Sequence, residues 1–197
     1  MMTRIAVGTA RHGSMRALLI AALTLAAMVF PAFAQARSFD VGHVRVTTTD
    51  APKRLDMAVT VPATVDQVWD AFTTPAGMTA WLAPFAKVEL AVGGPWQVSF
   101  TADGAAAGGN VLLYQPKSLL ALSAMAPVQF PTVRRERTTA VFLFDAAGPN
   151  ATTIRLAQTG WKAGEEWDKA FDYLATGNAQ LLEALYHRFA VGPEAWK

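Results

Sequence analysis

The side chains able to do chemistry are few, and their spacing argues against most of it. Beyond residue 34 the histidines are His43 and His187, and the chain contains no cysteine. Neither histidine stands at metal-ligand spacing from a second histidine or a carboxylate, so no metal site is expected. His187 falls near the end of a helical pattern, where an imidazole suits the helix dipole. Asp66 and Asp70, like Asp168 and Asp172, are carboxylates four residues apart that share a helix face; solvated faces account for such pairs far more often than catalysis does. No nucleophile elbow, phosphate loop or dinucleotide fingerprint is present. No catalytic residue and no cofactor is therefore expected. What remains is a set of amides and phenols: Asn178 in a helical stretch, Gln97 and Gln158 in strand-like stretches open to a solvent-facing reading, and Tyr114 and Tyr173. Asn178 either fixes a ligand carbonyl or hydroxyl, or caps a helix break, or bonds a strand carbonyl.

The element that must position Asn178 is the longest helical pattern of the chain, Glu165 to Val191. Trp167, Phe171, Leu174, Leu181, Leu185 and Phe189 recur three and four residues apart, with Asn178 in the gap between Leu174 and Leu181. They make one apolar stripe. Its middle, Ala175-Thr176-Gly177-Asn178-Ala179, is small where both flanks are bulky. Either the helix breaks there with Asn178 as a cap, or the small residues leave a hollow beneath it.

Arg4, Arg11 and Arg16 precede an uncharged run from Ala17 to Phe30, and Ala32-Phe33-Ala34 has the small-x-small form of a signal-peptidase site. Residues 1–34 read as a secretory signal peptide cut after Ala34, which predicts a periplasmic or secreted protein with no stable membrane anchor. Three of the 17 basic residues leave with it, so 14 face 15 acidic ones in residues 35–197. That balance gives no reason to expect nucleic acid as a partner. The run Arg134-Arg135-Glu136-Arg137 reads as a solvated loop, or as a holder of a ligand carboxylate or phosphate.

Residues 35–53 form an N-terminal arm or an extra edge strand. Leu55, Met57, Val59 and Val61 then alternate as a half-buried strand. Thr64 and Gln67 have capping-box spacing ahead of Val68, Trp69 and Phe72, and Thr74-Pro75 opens a second short helix reaching Trp81-Leu82. From Val88 onward the period is two. Strands are expected around Trp96-Val98-Phe100 and over residues 110–114, 119–125, 138–144 and 152–161, with short connections that imply an antiparallel meander. Such a sheet has an open face, and the last helix alone is long enough to cover it. The fold class is α+β: a curved antiparallel sheet, with two short helices after its first strand, wrapped around a long C-terminal helix. Residues 192–197 form a tail.

This order resembles the SRPBCC or START-like helix-grip superfamily. Within it, the stretch from Val61 to Thr73, then Trp81 and Gly93-Gly94-Pro95-Trp96, is similar to the branch named after the activator of the ninety-kilodalton heat-shock-protein ATPase. Thr152 to Leu156, Gly160-Trp161 and Trp167 to Leu174 resemble that branch's closing strand and helix, so the likeness spans roughly Arg54 to Phe189 of an expected domain at residues 54–191. Export would part the protein from cytosolic chaperones and ATP, so the name-giving activity is not carried over.

The resemblance implies a cavity between sheet and helix that holds a small hydrophobic molecule. The residues offer a lining: Trp96, Val98 and Phe100 from one strand, Phe142 and Phe144 from another, and Phe171, Leu174 and Asn178 from the helix. The same aromatics would serve equally to fill a solid core. The connection from Ala124 to Pro131 is apolar where loops are normally polar, and Met125 and Phe130 are expected to close the cavity mouth. A ligand-binding protein, a cyclase-, aromatase- or hydratase-like enzyme using that cavity, and a protein-interaction module with an unnamed partner are the three functional readings.

Overall fold

The computed structural model describes residues 36–196; the expected leader, with its cut after Ala34, lies outside them. The elements run β1 (Ala36–Val41), β2 (Val44–Asp50), β3 (Lys53–Val61), α1 (Val65–Thr73), α2 (Pro75–Thr79), β4 (Phe85–Val88), β5 (Pro95–Ser99), β6 (Ala107–Gln115), β7 (Leu119–Met125), α3 (Pro131–Glu136), β8 (Thr138–Gly148), β9 (Ala151–Thr159) and α4 (Glu165–Ala190). The nine strands form one antiparallel sheet in the order β1-β2-β3-β9-β8-β7-β6-β5-β4. It is the α+β helix-grip architecture. The N-terminal segment is a full hairpin, β1 and β2, added outside β3, so the two short helices follow the third strand.

Alternation decides which side chains go inside. Leu55, Met57, Val59 and Val61 of β3 are buried, as are Ile154 and Leu156 of β9, Phe142 and Phe144 of β8, and Trp96 and Val98 of β5. On the opposite face Thr60 bonds Thr153 and Arg155 pairs with Asp145, both in the open. In β6 a bulge between Val111 and Leu113 breaks the alternation, leaving Leu112 and Leu113 exposed together.

The short helices carry the chain from β3 to β4, at the far edge of the sheet. Thr64 caps α1 as its spacing predicts: Gln67 N–H donates to Thr64 Oγ1 at 3.3 Å, and Gln67 Oε1 accepts from Thr64 N–H at 2.9 Å. The last carbonyls of a helix have no partner within it. Here two indoles supply them, Trp81 Nε1 donating to Ala71 O at 2.9 Å and Trp96 Nε1 to Phe72 O at 2.6 Å. Phe72 is thereby fixed among Trp81, Trp96, Phe142 and Phe144, with ring centroids 5.1–6.4 Å away.

Helix α4 is unbroken over 26 residues, which removes the expected option of a break at Gly177. Its buried stripe is Trp167, Ala170, Phe171, Leu174, Ala175, Ala179, Leu182 and Leu185. Leu181 is not in it: 37% exposed, it lies over the open space rather than over packed sheet, and Leu182 is buried in its place. The helix packs chiefly on β3, with β2 and β1 beyond it.

Helix α3 corrects the reading of residues 134–137 as a solvated loop. Pro131 opens it, and Glu166 of α4 accepts from the N–H groups of Thr132 and Val133 at 2.6 and 3.1 Å. Burial pushes the Glu166 carboxyl up, but these bonds outweigh it and hold the group below its ordinary range. The Arg134 guanidinium donates to Ala126 O at 2.8 Å and Ala106 O at 2.6 Å, joining two loops.

Candidate functional site

Because α4 rests on the β1–β3 side, a space remains between it and the inner face of β5 to β9. It is a cavity of about 400 Å³, open at one side. Trp96, Val98, Leu122, Ala140, Phe142 and Leu156 form its floor, and Trp81 and Leu82 line it from the stretch after α2. Tyr173, Leu174, Gly177, Asn178, Leu181 and Leu182 form its roof. Gly177 is what keeps the roof high: a Cβ there would meet nothing nearer than Tyr173 Cε1 at 3.8 Å. The floor comes close in turn at Gly108, whose φ of +101° and near contact with the Trp96 backbone admit no side chain.

Of the side chains expected at this site, Trp96, Val98, Phe100, Phe142, Leu174, Asn178 and Met125 line the cavity. Phe100 does so from the rim, 60% exposed. The structure places three elsewhere. Phe144 lies in the core against Trp69 and Phe72, and Phe171 packs edge-on against Trp161 at 5.0 Å. Phe130 sits one layer behind the mouth, 5.5 Å from the Tyr173 ring, in a small cluster with Val133, Trp167, Ala170 and Leu174. Pro127 of the same loop reaches the mouth instead.

The polar lining is where residue reasoning falls short. Gln158, open to a solvent-facing reading, is 3% exposed and faces the cavity. Its parity with Ile154 and Leu156 carries that signal, since the inner face of β9 includes every second residue. Gln158 Oε1 accepts from Asn178 Nδ2 at 2.9 Å, and Gln158 Nε2 donates to Thr138 Oγ1 at 2.7 Å. Asn178 thus neither caps a break nor bonds a strand carbonyl; it bonds a strand side chain. Among the described residues no charged side chain lines the cavity.

A second polar cluster joins the two histidines that sequence spacing keeps apart. Glu183 of α4 accepts from His43 Nδ1 at 2.8 Å and lies 3.3 Å from His187 Nε2. Among the described residues no three such groups are placed to hold a metal ion.

The description "Activator of Hsp90 ATPase homolog 1-like protein" matches residues 62–190. The chain belongs to this family. No curated protein matches this chain. Among solved structures, the Aha1 dimer of Colwellia psychrerythraea is 17% identical with a TM-score of 0.57, over 71% of this chain and 97% of its own. A Mesorhizobium loti protein is 22% identical with a TM-score of 0.54, over 67% and 94%. CalU16 of Micromonospora echinospora is 16% identical with a TM-score of 0.52, over 83% and 87%. At these identities the likeness is one of fold. The family match at residues 62–190 takes in α1 to α4, and the β1–β2 hairpin lies outside it.

Proposed function

We propose that this member of the Hsp90 ATPase activator homologue family is exported and binds a small apolar molecule between its sheet and α4. The observation that carries this reading is the cavity itself. Small-molecule sites are mostly apolar clefts of about 300–1,000 Å³ with a few placed polar groups, and the space under Gly177 has that size and that lining. A solid core would not leave a helical glycine open toward it. The cyclase- or hydratase-like reading calls for an acid, a histidine or a buried tyrosine facing the cavity. The lining supplies only Tyr173, 51% exposed at the mouth.

The experiment is mass spectrometry on a solvent extract of the protein purified from its native host, beside a Leu174→Trp variant that fills the space. A stoichiometric compound in the first and none in the second is expected. Empty extracts from both, at equal thermal stability, would defeat the binding reading. Export rests on the pattern of residues 1–34 and is tested by sequencing the N-terminus of the native protein, expected at Gln35. A protein still beginning at Met1 or Met15 in the cytoplasm would overturn it.

A further inference from the structure

Three polar side chains, Thr138, Gln158 and Asn178, form a hydrogen-bonded line that reaches the cavity, whose other polar lining groups, Tyr173 and Gln180, are exposed. Thr138 and Gln158 are buried; Gln158 and the half-buried Asn178 both line the open space, but both ends of the Gln158 amide are already bonded. Among the described residues no buried side-chain polar atom lacks a partner, so the inner part of the line is complete without a ligand. The outer part is not: with Nδ2 on Gln158, the Asn178 Oδ1 carries no side-chain or backbone bond among the described residues.

A primary amide has the same shape whichever end donates, and a hydroxyl either donates or accepts. Turning both amides over together, with the Thr138 hydroxyl changing from acceptor to donor, keeps both hydrogen bonds over the same heavy-atom distances. What changes is the atom left for the cavity. In one setting Asn178 offers the oxygen; in the other it offers the nitrogen with its protons. The walls around it are aromatic and aliphatic, and with no charged group in the lining a carboxylate, phosphate or ammonium would be stripped of water without a counter-charge.

We infer that Asn178 is a reversible hydrogen-bonding pole, and that the ligand is an uncharged, ring-rich molecule ending in one hydroxyl or carbonyl. This rests on the cavity reading above and narrows it to a chemical class. Both members of a hydroxyl–ketone pair fit the same site, because the amide line turns to suit either.

The test is calorimetric titration of the purified protein with 2-naphthol, 2-acetylnaphthalene, 2-ethylnaphthalene and 2-naphthoate. The wild type is expected to bind the first two with comparable affinity and to reject the carboxylate. Asn178→Leu should weaken naphthol and acetylnaphthalene by roughly three- to tenfold, the worth of one neutral hydrogen bond, and leave ethylnaphthalene unweakened. Gln158→Glu, assayed at pH 8, supplies two acceptors that hold Asn178 Nδ2 and the Thr138 hydroxyl, fixing Oδ1 toward the ligand; naphthol should then be kept and acetylnaphthalene lost by a similar factor. Naphthoate binding as tightly as the neutral probes, or polar-probe affinities unmoved in both folded variants, would overturn the pole and leave the cavity reading standing. Failure of all the neutral probes to bind the wild type would sink both.

Discussion

Glu183 and His43, 140 residues apart, are joined twice: the carboxylate accepts from the His43 backbone N–H at 2.7 Å and from its Nδ1 at 2.8 Å. The His43 ring also stacks on Tyr186 at 3.6 Å. These contacts pin the β1–β2 hairpin to α4. Burial pushes the Glu183 carboxyl up, but the two bonds from His43, with the charges of His43 and His187, outweigh it and hold the group below its ordinary range. A carboxyl lowered in the folded state stabilises the protein above its unfolded value, about 4.3, and that contribution is lost as pH falls through the folded value. Glu183→Gln should therefore be less stable than wild type at pH 7, with the gap closing in acid. Urea midpoints measured from pH 7 downward check this; a gap that does not change with pH would show that the charge is not involved.

Gly177→Ala should stabilise the protein by about 0.5–1 kcal/mol. A glycine inside a helix costs that much relative to alanine, and the new methyl group has room. A higher thermal midpoint is the expected result, at some loss of cavity space. Destabilisation would mean that the helix does not run through this point as described.

Trp96→Phe keeps most of the ring and loses the donor to Phe72 O. Leaving that buried carbonyl unpaired at the end of α1 should cost about 1–3 kcal/mol, read from chemical denaturation with an unchanged m-value. Trp81→Phe acts on the neighbouring carbonyl, and the pair of variants should be non-additive because both indoles hold the same turn.

Arg134→Ala removes the link between the loops at Ala106 and Ala126. A loss of roughly 1.5–3 kcal/mol is expected from hydrogen bonds made by a charged group. Hydrogen exchange should speed up first in residues 100–107 and 125–130, and uniform acceleration over the whole sheet would contradict a local role.

The sequence carries the elements well where local chemistry decides them. Thr64 and Gln67 announce the start of α1, Thr74-Pro75 that of α2, and the alternation from Leu55 to Val61 marks β3. Helix α3 escapes local reading because its N-terminal amides are satisfied by Glu166, thirty-odd residues downstream. Leu181 and Leu182 exchange roles because adjacent leucines at the edge of a stripe are sorted only by the partner surface. The aromatics divide between cavity and core for the same reason: Phe142 and Phe144 share a face of β8, and only the position of α1 puts Phe144 under Trp69 and leaves Phe142 beside the open space. Nor does any spacing foretell that His43, His187 and Glu183 meet.

The tilt of α4 toward β1, β2 and β3 divides the sheet between two kinds of selection. The strands beneath the helix bear its weight, so a change in Met57 or Val59 is felt at once as lost stability. The strands beyond it face a space, where exchanging Val98 or Ala140 reshapes the interior as well as the packing. One half of the sheet can thus change its inner surface while the other half keeps the domain intact.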